Sequence, residues 1–121
     1  AAKGGLHRLG RQITMKHAME IALTGKLFNA QTALDYGLVN SVVERREISK
    51  ESSEMLNSLI ECAPLALRAT KQMIQMGLDA LSLEEAYQKN YPKYDSMLAS
   101  KDALEGSRAF IEKRKPVWQG K

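Results

Sequence analysis

Apolar residues recur along this chain at the spacing of helix faces. From Thr14 to Thr24, residues Met15, Ala18, Met19, Ala22 and Leu23 return every three or four positions, which puts them on one side of a helix. Thr14 offers a side-chain oxygen to the open N–H groups at its start, and Gly25 can adopt the left-handed conformation that closes it. A second short helix is predicted from Asn29 or Ala30 to Tyr36, with Asn29 as N-cap and Gly37 as stop. A third starts near Ser49, with Met55, Leu56, Leu59, Ile60 and Ala63 as a stripe opposite Glu51, Asn57 and Glu61. Pro64 opens a fourth, because the first turn tolerates its missing N–H; that helix carries Leu67, Ala69, Met73, Ile74 and Met76 and ends near Gly77. Ser82 followed by Glu85 reads as a capping box for a fifth, running through Ala86, Tyr87 and Tyr91 to Tyr94, Met97 and Leu98. Pro92 lies inside that run and is expected to kink or interrupt it. The last helix begins around Lys101 to Ala103 and reaches Glu112 or Lys113, before Pro116 imposes an extended exit.

Strand character is confined to Leu38-Val39-Asn40-Ser41-Val42-Val43, short and rich in β-branched residues. A lone strand cannot satisfy its own backbone, so its partner is expected outside the chain. The reading is thus a mainly α fold of about six helices and one short strand. The stretch from Gly25 to Val43 has little to pack on within the chain, and the six methionines read as adaptable core filler.

With 121 residues, 44% hydrophobic and 26% charged, the composition is that of one small globular domain and gives no sign of disorder. No apolar run has the length of a membrane span. A net charge of +4 admits polyanion partners, phosphorylated cofactors and nucleic acids alike. The basic residues are spread over several helices without an aromatic-interleaved patch, which disfavours nucleic acid. A single cysteine, Cys62, cannot form an internal disulfide, and no apolar signal segment follows Ala1. These features suit an intracellular protein, cytoplasmic ahead of mitochondrial. The chain opens without a methionine at a glycine pair and is expected to be part of something longer.

Catalytic constellations are mostly missing from the sequence. His7 and His17 lie ten apart with no cysteine partner, so no metal site is expected. The pair Glu84-Glu85 is explained by its place in a first helical turn, where carboxylates meet the positive end of the helix dipole. Gly4-Gly5 lacks the Lys-Ser or Lys-Thr of a phosphate-binding loop and reads as a tight turn. Lys113-Arg114-Lys115 beside Phe110 and Trp118 has two readings, a solvated helix end or a phosphate contact with an aromatic wall.

Three motifs in order carry a resemblance over essentially the whole chain. They are Gly4-Gly5-Leu6-His7-Arg8-Leu9-Gly10-Arg11; Leu23-Thr24-Gly25 with Ala30, Ala33 and Gly37-Leu38-Val39-Asn40; and Ser100-x-Asp102-x-x-Glu105-Gly106-x-x-Ala109-Phe110-x-Glu112-Lys113-Arg114. Together they resemble the C-terminal portion of the crotonase superfamily, the enoyl-CoA hydratases and isomerases. Tyr91-Pro92, Ala63-Pro64-Leu65-Ala66 and the ending through Trp118 are similar to a branch often labelled carnitinyl-CoA dehydratase.

The resemblance implies the last part of a crotonase-type α/β spiral fold with its helical trimerisation region: residues 1–45 as the end of the core and 46–121 as the helical region for assembly and closure of the CoA site. It implies an acyl-CoA substrate, no prosthetic group, and a homo-oligomer, a trimer or dimer of trimers. It places the catalytic glutamates and the oxyanion-hole amides upstream of Ala1, so the chain alone is expected to be inactive. Phe110 and Lys113 match positions that help hold CoA, often that of a neighbouring subunit, and Tyr94 matches an aromatic near the acyl pocket. Ala2 stands where a glycine amide often lies near the catalytic water. Against the enzyme reading stand a non-catalytic oligomerisation module, suggested by the apolar stripes, and an RNA-binding crotonase relative.

Overall fold

The computed structural model describes residues 3–121, and every regular element among them is a helix. They divide into two compact units between Ser49 and Lys50.

In the first unit α1 (Gly5–Gln12) packs against α2 (Met15–Thr24), with Ala18 buried. The turn expected at the glycine pair continues as a full helix of 8 residues, entered through Gly4 at φ 90. α2 is capped as its sequence predicts: Thr14 Oγ1 accepts the His17 N–H at 3.5 Å, and Gly25 closes the helix at φ 59. In α3 (Ala30–Asp35), Asn29 Oδ1 accepts both the N–H and the hydroxyl of Thr32, at 2.8 and 3.0 Å. Its C-terminus is a Schellman motif around Gly37 at φ 76: Leu38 N–H reaches Ala33 O at 2.8 Å and Gly37 N–H reaches Leu34 O at 2.9 Å. The His17 and Tyr36 rings stack at 3.7 Å, and the Tyr36 hydroxyl donates to the Glu20 carboxylate at 3.0 Å. That bond, with burial and the carboxylate charge behind it, raises the Tyr36 pKa.

The predicted strand at 38–43 is not formed. A strand is defined by its ladder, and no segment among the described residues pairs with this one, so its β-branched residues lie in irregular backbone. After a 3₁₀ turn at Arg45–Glu47, α4 (Ile48–Ile60) runs into the second unit.

There α5 (Pro64–Leu78) lies along α7 (Pro92–Leu98) and touches α6 (Leu83–Gln88), while α7 meets α8 (Lys101–Ile111). Of the two outcomes expected at Pro92, the structure shows the interruption: the run is two helices, and Pro92 starts the second. The residue before a proline is pushed out of the helical region, and Tyr91 sits at φ −117, ψ 83. Its hydroxyl reaches back to Ala86 O at 2.6 Å, and Gln72 Oε1 accepts the Lys93 N–H at 2.9 Å, so α5 caps α7. With α1 added, eight α-helices replace the expected six among the described residues. Ser82 Oγ accepts the Glu85 N–H at 3.1 Å, but the returning carboxylate takes Leu81 N–H at 2.8 Å instead of that of Ser82.

Small side chains form the closest contacts, with Ala69 and Ala109 each 1% exposed, and no large side chain among the described residues is fully buried. Apolar groups such as Leu81 (98% exposed), Leu83, Tyr87 and Leu104 face outward. No helix among the described residues is long and apolar enough to cross a membrane.

Candidate functional site at the end of the last helix

The acidic residues of α8 hold the tail that follows it. Ser100 caps the helix, its Oγ accepting the Ala103 N–H at 3.2 Å. Asp102, 4% exposed, spends one carboxylate oxygen on the Gln119 N–H at 2.7 Å and the other on the Gly120 N–H at 2.8 Å. One turn on, Glu105 receives the two NH₂ groups of Arg114 at 2.6 and 3.1 Å and also the Val117 N–H at 2.8 Å. The Trp118 indole packs over Gly106, at 3.4 Å from where a Cβ would stand. The Trp118 Nε1–H donates to Glu61 O at 2.8 Å, and Lys101 N–H donates to Lys121 O at 3.1 Å. The motif Ser-x-Asp-x-x-Glu-Gly is therefore a clamp that folds the tail back along its own helix.

This geometry divides the basic cluster. Arg114 makes a forked pair with Glu105 and a further bond from Nε to Glu112 at 2.6 Å, so its guanidinium is committed to carboxylates. The Arg114 side chain, then the Val117 N–H, hold the Glu105 pKa down to about 2, and the two carboxylates raise that of Arg114. Lys115 pairs with Glu61 at 3.4 Å on the open surface. Lys113 has no carboxylate partner among the described residues, and Phe110 is 86% exposed. Lys113 closes α8 at φ 53: Arg114 N–H reaches Ala109 O at 3.0 Å and Lys113 N–H reaches Phe110 O at 3.2 Å. These are the two bonds found at Gly37, with a lysine where α3 has a glycine.

Tyr94 lies elsewhere in the second unit, on an open concavity of about 760 Å³ bounded by α5, α6 and α7. Met73, Ile74, Leu83, Tyr87 and Tyr91 give it an apolar wall, and Lys89 at its edge is held by Glu85 at 3.6 Å and by Met76 O at 3.3 Å. Phe110 and Lys113 do not line this concavity. Ala2 lies outside the described residues. Glu85 serves its helix start, and Cys62 is exposed. No group of three or more His, Cys, Asp or Glu side chains among the described residues could hold a metal ion. The tail-holding roles of Asp102, Glu105 and Arg114 escaped the sequence reading; the signal for them was the fixed spacing of two acids one turn apart ahead of a basic cluster.

The whole of the chain, residues 1–121, matches the family model described as enoyl-CoA hydratase/isomerase. The chain belongs to the enoyl-CoA hydratase/isomerase family. Among curated members it is 38% identical to the carnitinyl-CoA dehydratases of Salmonella typhi and Salmonella typhimurium, over 98% of this chain and 46% of theirs. Among solved structures, the enoyl-CoA hydratase of Bacillus anthracis superposes with a TM-score of 0.90 at 35% identity, over 98% of this chain and 45% of that one. The enoyl-CoA hydratase of Mycobacterium tuberculosis gives 0.88 at 34% identity, over 98% and 46%. The chain thus spans about half the length of the curated relatives it matches, and the part of the crotonase fold it corresponds to is the C-terminal one.

Proposed function

We propose that this chain is the C-terminal half of an acyl-CoA hydratase/isomerase that works through a thioester enolate and adds water to 2-enoyl-CoA. The observation that carries this reading is the end of α8, where an exposed aromatic ring and a lysine with no carboxylate partner among the described residues share one closing turn while the neighbouring arginine is tied to carboxylates. Phe110 and Lys113 contact the nucleotide end of CoA, the ring as an apolar wall and the ammonium as a charge for phosphate. Tyr94 belongs to the wall of the acyl pocket. In the hydration step two backbone N–H groups hold the thioester oxygen as negative charge develops, water gives its hydroxyl to C3 and its proton to a carboxylate, and a carboxyl group delivers a proton to C2. Those groups are assigned to the part of the family's length that these residues do not span, residues 1–45 closing the core and 46–121 serving assembly and the CoA site.

On this reading the isolated chain binds CoA weakly and hydrates nothing. Purified chain mixed with crotonyl-CoA should leave the substrate intact, and Phe110→Ala or Lys113→Ala in the complete enzyme should raise KM more than they lower kcat. Hydration by the chain alone, or an unchanged crotonyl-CoA KM in either variant, refutes it. The outward apolar residues Leu81, Leu83 and Leu104 support assembly as a homo-oligomer, a trimer or dimer of trimers. Sedimentation of the complete enzyme as a monomer at high concentration refutes that part.

A further inference from the structure

We infer that Glu105 and Arg114 are positioning residues for the CoA contact, holding Lys113 in the left-handed conformation that ends α8; the inference rests on the CoA reading of Phe110 and Lys113. The same Schellman closure occurs at two places among the described residues, once with Gly37 and once with Lys113. Glycine enters that conformation without penalty, whereas a side chain crowds the following carbonyl, so a lysine there needs a restraint from its surroundings. The restraint is visible one residue on. Arg114 is forked onto Glu105, bound through Nε to Glu112, and its own N–H is held by Ala109 O. Glu105 is in turn braced by the Val117 N–H, and the tail beyond it by Asp102.

Both flanks of Lys113 are therefore fixed, and its N–H is bonded to the carbonyl of Phe110. A mobile Lys113 would sample the right-handed and extended wells, and its ammonium would leave the end of the helix for most of the time. On this view the signature acid Glu105 and the basic Arg114 act on substrate affinity without touching the substrate. Arg114, which the sequence offers as a phosphate ligand, supplies geometry in its place.

The test is steady-state kinetics of the complete enzyme carrying this chain, with crotonyl-CoA and crotonyl-pantetheine as paired substrates. The pantetheine thioester lacks the nucleotide and so cannot use Lys113. Glu105→Gln should raise KM for crotonyl-CoA about fivefold, keep kcat within about twofold, and leave the KM for crotonyl-pantetheine unchanged. Arg114→Lys, which keeps the charge and loses the fork, should fall between Glu105→Gln and the parent. A general structural role would damage both substrates equally, and that result overturns the inference. So does an unchanged crotonyl-CoA KM in the folded Glu105→Gln enzyme; if that variant does not fold, Arg114→Lys decides by the same criterion. Lys113→Ala separates the two levels. If it leaves the crotonyl-CoA KM unaltered, the CoA contact itself is wrong and both readings fail; if it raises KM while Glu105→Gln does not, the contact stands and the positioning role falls.

Discussion

Replacing Asp102 by asparagine keeps the shape of the side chain and removes half of what it does. In the native chain each carboxylate oxygen accepts one tail amide, Gln119 at 2.7 Å and Gly120 at 2.8 Å, in a site only 4% exposed. Asparagine has one acceptor oxygen; its NH₂ group would point a donor at a second N–H. One charge-assisted bond, of about 1.5–3 kcal/mol, is lost and the other becomes neutral, so the variant should lose about 2 kcal/mol. Alanine, which leaves both amides without a partner, should lose about 3–4 kcal/mol. For a helical unit of this size the asparagine change corresponds to a fall in Tm of about 10 °C. Circular dichroism at neutral pH reads the global transition. Trp118, the single tryptophan of the chain, reports the tail, because its indole is docked on Glu61 O. Hydrogen exchange at Gln119 and Gly120 reads the two bonds directly. A Tm within about 2 °C of the parent, with both amides still protected, would refute the clamp as a source of stability.

Gly106→Ala should stabilise the protein by about 0.5–1 kcal/mol, because glycine is a poor interior helix residue and the new methyl would meet the Trp118 ring at 3.4 Å, an ordinary contact; a blue- or red-shifted Trp118 emission with lower Tm would show that the indole had been displaced. Lys113→Gly should raise Tm by relieving the left-handed backbone, a gain of about 0.5–1 kcal/mol, and weaken CoA binding at the same time. Glu105 has a folded pKa of about 2 against an ordinary 4.5, so the fold favours its ionised form. Its contribution is complete above about pH 4.5 and is lost as pH falls through 2; acid titration followed by Trp118 emission should show a transition in that window that Glu105→Gln lacks.

The helix boundaries were legible where the signals are local. Thr14 with Gly25, Asn29 with Gly37, and Pro64 at the start of α5 act within one turn of themselves, so neighbouring residues carry the whole message. Pro92 was legible as an interruption, since the residue before a proline leaves the helical region; that Gln72 would cap the new helix was not, because it lies 21 positions away on α5. The segment 38–43 shows the opposite limit: β-branched residues favour a strand, but a strand needs a partner that composition cannot supply. At the end of α8 the motif marked the right place. Its charges alone could not show that Arg114 turns inward to Glu105 while Lys113 stays open, since that pairing depends on a tail folded back over distances of nine to eighteen residues.

The folded-back tail also sets an order of events during synthesis. Asp102 leaves the ribosome before the amides of Gln119 and Gly120, which follow it by 17 and 18 positions. At translation speeds of about 5–20 residues per second this leaves Asp102 without its tail partners for about one to four seconds. Arg114 follows Lys113 directly, so its bridge to Glu105, nine positions back, can form before the bonds of Asp102 to Gln119 and Gly120, and the Phe110–Lys113 turn is set ahead of the tail that closes over it.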